Sequence, residues 1–172
     1  MLNNQSQPVV PFRHDKDNED PSHYVRVYGL WKIERHTPVN GQMVLADVRE
    51  GKNLIQTNGK EFLASFLQSA TAAAATFTCR YVAIGTGTGA ESAADTTLGT
   101  ESARHTGTVS YVSGAIYQVI GTFATGVGTG DITEYGLFSS SSAGTMFCRD
   151  LETAISKGAL DTLTATLQIT LS

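Results

Sequence analysis

The chain is poor in charge, in cysteine and in long apolar runs, and each shortage removes a class of function. Only 16% of its 172 residues are charged, and 12 basic side chains stand against 16 acidic ones. A net charge of −4 gives no general attraction to the phosphates of nucleic acid or to an anionic membrane. No run approaches the ~20 apolar residues that cross a bilayer. Met1-Leu2-Asn3-Asn4-Gln5 lacks the charged-then-apolar layout of a signal peptide, so synthesis and retention in the cytosol are expected. The two cysteines, Cys79 and Cys148, are far apart, with no C-x-x-C pair and no histidine at metal-ligand spacing. Buried, reduced thiols are expected, and no metal or other cofactor is implied.

What is present is apolar and small-polar. Hydrophobic residues make up 41% of the chain, so its surface must be polar through Thr, Ser, Asn, Gln and Gly more than through charge, which suits an extracellular or particle-bound β protein. The length allows one ordinary core plus an appendage.

The appendage is the N-terminal arm, residues 1–23. It has almost no periodic apolar signal and carries the acidic run Asp15, Asp17, Glu19 and Asp20. Its one sticky segment is Pro8-Val9-Val10-Pro11-Phe12-Arg13, whose prolines favour an extended backbone that can lie on a partner's surface.

Residues 24–172 read as one domain. Val25, Val27, Trp31 and Ile33 alternate with Tyr24, Arg26, Tyr28, Lys32 and Glu34, the pattern of a half-buried strand. Asn40-Gly41 supplies a tight turn, and Val44, Ala46 and Val48 alternate on the return. One helix is expected over Gly59–Ala70, capped by Asn58 with Glu61 three residues on, and packed by Phe62, Leu63, Phe66 and Leu67. Ala72 to Ala75 reads as a connector. Beyond it come strands separated by Gly, Ser and Thr: Phe77–Gly85, two within Thr108–Phe123 around Ser113-Gly114, then Ile132–Phe138 and Thr145–Leu151 flanking a Ser-rich turn. In the last segment Leu163, Ala165, Leu167, Ile169 and Leu171 alternate with Thr and Gln. The expected fold is mainly β, an antiparallel β-sandwich or jelly-roll-like domain with one short helix and an extended N-terminal arm.

The motifs argue against catalysis. Gly85-Thr86-Gly87-Thr88-Gly89 lacks the Lys-Ser/Thr pair and the following helix of a phosphate loop, and reads as a flexible surface loop. Gly126-Val127-Gly128-Thr129-Gly130-Asp131 is a single copy of a calcium-roll-like pattern and reads as a hairpin turn. There is no G-x-S-x-G elbow, and His36 and His105 read as solvated loop residues. Glu134 and Asp150 are the first carboxylate pair to inspect, with an ordinary ion pair to Arg149 or Arg104 as the alternative. No catalytic residue is assigned and the chain is not read as an enzyme. Tyr24 and Tyr28 share an outward face with Arg26, a combination that marks interfaces, with cross-strand packing as the competing reading.

A set of short stretches in fixed order carries a resemblance. They are Asn53-Leu54-Ile55 with the following Gly59 helix, Tyr81-Val82-Ala83-Ile84-Gly85-Thr86-Gly87, and Asp95-Thr96-Thr97-Leu98-Gly99-Thr100-Glu101 running to Arg104. Thr133-Glu134-Tyr135-Gly136-Leu137-Phe138, Gly144-Thr145-Met146 with Arg149, and Asp161-Thr162-Leu163 complete the set. From Asn53 onward the chain resembles small β-sandwich virion structural proteins of tailed bacteriophages, a group spanning tail-fibre-like and head-decoration proteins. The resemblance implies assembly into a virion after synthesis in the host cytoplasm, and it transfers no catalytic residue. A capsid decoration (cement) protein is the leading expectation, because no shaft of heptads or long β-repeats is present. A tail, baseplate or tail-fibre accessory protein comes second, and a polysaccharide-binding or hydrolysing domain is a distant third. The expected partners are the major capsid protein or another virion protein, and sister copies, with neither nucleic acid nor membrane. Val9, Val10, Pro11, Phe12, Arg13, Tyr24, Arg26 and Tyr28 are the expected contacts.

Overall fold

The computed structural model describes residues 26–68, 79–112 and 114–172. The arm, Tyr24 and the Ala72 to Ala75 connector lie outside the described residues, as do the side chains of Phe66 and Leu67. The elements in chain order are β1 (Val27–Val39), β2 (Gln42–Ile55), α1 (Thr57–Gln68), β3 (Tyr81–Gly85), β4 (Glu101–Thr106), β5 (Thr108–Tyr111), β6 (Ile116–Phe123), β7 (Gly130–Phe138), β8 (Met146–Lys157) and β9 (Thr162–Leu171). The fold is mainly β and antiparallel with one short helix, as expected.

The hairpin β1–β2 forms where alternation meets a turn. Asn40 and Gly41 both adopt positive φ, 51° and 80°, the geometry that a two-residue turn of matching twist requires. Trp31 and Ile33 point into the core while Tyr28 and Leu30 point out. β9 pairs with the other edge of β1 from Val27↔Leu171 to His36↔Thr162. Its alternation is as clean as the sequence promised: Leu163, Ala165, Leu167 and Ile169 are buried and the intervening Thr and Gln are not.

The nine strands of the described residues belong to one sheet in the order β4-β3-β7-β8-β2-β1-β9-β6-β5. Its two edge strands are consecutive in the chain, β4 and β5, separated only by Gly107. The Gly107 N–H donates to Arg80 O at 2.7 Å, so one continuous segment pairs with β3, turns the corner and pairs with β6. The sheet is thereby nearly closed around a core that includes Trp31, Val82, Val119, Phe123, Tyr135 and Leu167. The two halves come into close contact at Gly121, where a Cβ would fall 2.6 Å from Val82 Cβ. β4 was not expected from sequence, and His105, read as a loop residue, sits on it with its ring edge-on to Phe123 at 5.4 Å. His36, likewise read as a loop residue, lies within β1 and pairs with Thr162.

Helix α1 begins two residues before the expected start, and Asn58 is not its cap. Pairing of Leu54 and Ile55 with β8 holds the chain extended up to Gln56, whose carbonyl then accepts the Lys60 N–H at 3.1 Å. The helix lies so close to β8 that a Cβ on Gly59 would fall 2.2 Å from Phe147 O. Phe62 packs against the core.

The segment 126–130 is not a hairpin turn. β6 pairs with β5 and β9, while β7 pairs with β3 and β8, so the connection crosses from one half of the sheet to the other. Gly126, Gly128 and Gly130, all at positive φ, turn that corner.

Candidate functional site

β7 carries the most polar chemistry. A register shift between Ile132 and Glu134 lets Ile132, Tyr135 and Leu137 all join the central core. Glu134 and Phe138 then face away from it, towards the long connection between β3 and β4. That connection closes over the sheet through Leu98, which packs with Ala83, Phe138 and Met146 in a second apolar cluster.

Glu134 is fully buried and is saturated with donors. Its Oε1 accepts the N–H groups of Gly87 at 2.8 Å and Thr100 at 2.6 Å, and its Oε2 accepts that of Gly99 at 2.8 Å. Arg149, on β8, donates to Oε2 through Nε at 3.2 Å and Nη2 at 2.9 Å. The remaining guanidinium donors reach Asp95 Oδ2 at 2.7 Å and the carbonyls of Gly89 and Ala90. Desolvation pushes the Glu134 carboxyl up, but the three amides and then Arg149 outweigh it and hold the group below the usual carboxylate range.

This arrangement corrects the reading of Gly85 to Gly89 as a flexible surface loop. Gly85 and Gly87 are buried, and a Cβ on Gly87 would fall 2.4 Å from Glu134 Oε1. One amide of this loop, that of Gly87, joins those of Gly99 and Thr100 on an anion, and the anion is the protein's own carboxylate. The ion pair with Arg149, which the sequence offered as the alternative to a catalytic role, is the one formed.

Asp150 does not share a site with Glu134. Glu134 lies opposite Leu151 and Tyr135 opposite Asp150, so alternation sends the two carboxylates to opposite faces of the sheet. Asp150 is 2% exposed, and among the described residues its Oδ2 has no hydrogen-bond partner; the same holds for the buried Tyr135 hydroxyl and Trp31 Nε1. Trp31 and Tyr135 stand with ring centroids 6.0 Å apart. Burial, then the charges of Glu152 and Glu91, push the Asp150 carboxyl up to about 7. Burial likewise raises the Tyr135 hydroxyl, with Asp150 adding to it.

Outside the helix, the charged residues in the stretches that carried the resemblance are committed to ion pairs. Asp95 and Glu134 meet Arg149, Glu101 meets Arg104, and Asp161 meets Arg35 at 3.1 Å. Arg104 also donates to the carbonyls of Ser140 and Ala143 and lies 3.5 Å above the Phe138 ring, fastening the Ser-rich turn to β4. Asp161 accepts the Gly158 N–H, and buried Lys157 donates to Ala124 O and Asp161 O, which ties the β8–β9 turn to the end of β6. Cys79 and Cys148 are buried and form no disulfide; burial pushes the Cys79 thiol up to about 12 and Cys148 well above its ordinary value.

Of the expected contact residues, Arg26 and Tyr28 are exposed at the base of β1, where Arg26 pairs through its backbone with Ser172. Val9, Val10, Pro11, Phe12, Arg13 and Tyr24 lie outside the described residues. A second surface went unseen in the sequence. β1 and β2, of 13 and 14 residues, outrun β9 at 10 residues, and the hairpin tip projects past His36, the last β1 residue paired to β9. Val44, expected on a half-buried strand, is therefore exposed with Val39 and Met43 at the tip; Val48, expected likewise, and Leu45 are exposed although they lie opposite Glu34 and His36, which β9 does pair. Strand length against that of the covering strand is the signal that could have shown the exposed tip. No protein-family model, no curated protein and no solved structure matches this chain.

Proposed function

We propose that this chain is a structural protein of a tailed bacteriophage particle, a capsid decoration protein that binds the outside of the head through its arm and the domain face bearing Arg26 and Tyr28. The observation that carries the reading is the commitment of Asp95, Glu101, Arg104, Glu134, Arg149 and Asp161 to internal ion pairs. In an acid–base site such groups would be left free to meet a substrate. Here they lock three connections onto the β frame, and a rigid frame is what a particle-bound module needs. The Thr- and Gln-rich outward face of β9 supports the same reading, since it is solvated without net charge.

Attachment in this proposal is divided. The segment Val9-Val10-Pro11-Phe12 buries apolar surface on a capsid subunit or sister copy, while Arg13 and the acidic run set register. Single contacts are weak and the lattice supplies avidity. Immunogold labelling of intact particles tests the position: gold over heads supports decoration, gold at the tail tip moves the protein to the tail, and unlabelled particles remove it from the virion.

A further inference from the structure

We propose that the projecting edge of β2 is a homodimerisation surface, on which a second copy of this chain lays its own β2 antiparallel across a two-fold axis. Among the described residues, Gln42 to Asn53 is hydrogen-bonded on one side only, to β1; β8 pairs at Leu54 and Ile55 and lays Glu152 against Gly51, so the open edge runs from Gln42 to Glu50. The open edge is flanked by exposed Val39, Met43, Val44, Leu45 and Val48. An unpaired edge with apolar side chains is a template for another strand.

The charge pattern of the edge identifies that strand. A two-fold axis perpendicular to a sheet keeps each side chain on its own face, so the residue at the centre meets its own copy. Centring on Asp47, Arg49 or Glu50 sets like charges against each other. Centring on Val48 sets Val48 against Val48 and places Asp47 opposite Arg49 of the second copy, and Arg49 opposite its Asp47. Within one chain these two side chains already form an ion pair, so the dimer joins two such pairs into a four-residue network.

The β-bulge extends the match. Asp47 pairs with Arg35 and Leu45 with His36, which leaves Ala46 as the extra residue against β1. With Ala46 passed over in the same way at the new edge, Glu50 lies opposite Leu45, and the aliphatic stem of Glu50 covers that exposed side chain. The arm's own Pro8-Val9-Val10-Pro11 fits this edge poorly, because prolines three residues apart have opposite parity and one of them would present no N–H to β2.

The test is the oligomeric state of the purified full chain by light scattering and sedimentation. The wild type is expected to dimerise. Val48→Lys weakens the dimer about tenfold or more and leaves the circular dichroism spectrum of the folded chain unchanged; Asp47→Arg weakens it similarly, and Asp47→Arg combined with Arg49→Asp restores it. Val48→Cys gives a disulfide-linked dimer on mild oxidation, and Val39→Cys does not. A wild type that stays monomeric at high micromolar concentration overturns the proposal, and so does a dimer that survives both Val48→Lys and Asp47→Arg. These readouts use purified protein, whereas the position on a particle is read on virions, so either proposal can fail while the other stands.

Discussion

Glu134 and Arg149 meet at 2.9 Å on neighbouring strands, both side chains almost wholly buried, and between them they fasten the connection from β3 to β4 onto the sheet. Removing one partner of such a pair leaves an uncompensated charge inside the protein. Arg149→Met is expected to cost about 3–5 kcal/mol by urea denaturation. In hydrogen exchange the amides of Gly87, Gly99 and Thr100 should lose protection first. A loss no larger than that of an exposed ion pair, or unchanged protection of those amides, contradicts the assignment. The acid limb gives a second readout. The Glu134 carboxyl is lower in the folded state, so its stabilisation is complete above the unfolded value of about 4.3 and drains as pH falls towards the folded value. Glu134→Gln should flatten that limb.

Asp150 titrates with the opposite sign. Burial, with Glu152 and Glu91, raises its carboxyl to about 7 in the folded protein. The unfolded value is about 3.9, so between the two the folded state holds the extra proton and stability declines as pH rises. Its contribution is full at low pH and lost above about 7. Asp150→Asn should raise the urea midpoint at pH 8 and leave it little changed at pH 4, where wild type and variant are both neutral. Equal shifts at the two pH values would mean that the effect is not protonation.

The approach of the two halves at Gly121 allows no side chain. Gly121→Ala places a methyl 2.6 Å from Val82 Cβ, and overpacking of this kind costs about 1–3 kcal/mol. Val82→Ala in the same molecule should recover part of the loss, measured by thermal melts of the single and double variants. Recovery fails if the strain lies elsewhere.

Legibility in the sequence followed the range of the interaction. The hairpin at Asn40-Gly41 and the last strand declared themselves, because alternation and turn chemistry act over a few residues. β4 was missed because Glu101-Ser-Ala-Arg-His-Thr has no apolar alternation; it is a strand because β3 pairs with it and Arg104 anchors it to the Ser-rich turn. The helix start was misplaced because β8, some ninety residues away in sequence, holds Leu54 and Ile55 extended. Glu134 was legible as a group to inspect and its partner Arg149 as one of two arginines. Their joint hold on Gly87, Gly99 and Thr100 was not, since each of those contacts spans dozens of residues.

The arm is expected to attach and not to stabilise. The described core draws on residues from Trp31 to Ile169, so deleting Met1 to Asp20 should leave the melting temperature little changed while occupancy on particles collapses. Full decoration by the truncated protein would shift the interface to the face around Arg26 and Tyr28.

The central claim is that the chain is a component of the virion, present in many copies on the head. Quantitative mass spectrometry of purified, nuclease- and protease-washed phage particles, from a lysate in which the chain is expressed, tests this directly. The account predicts a copy number comparable to that of the major capsid protein; absence of the chain from washed particles, with abundance only in the infected-cell lysate, would contradict it.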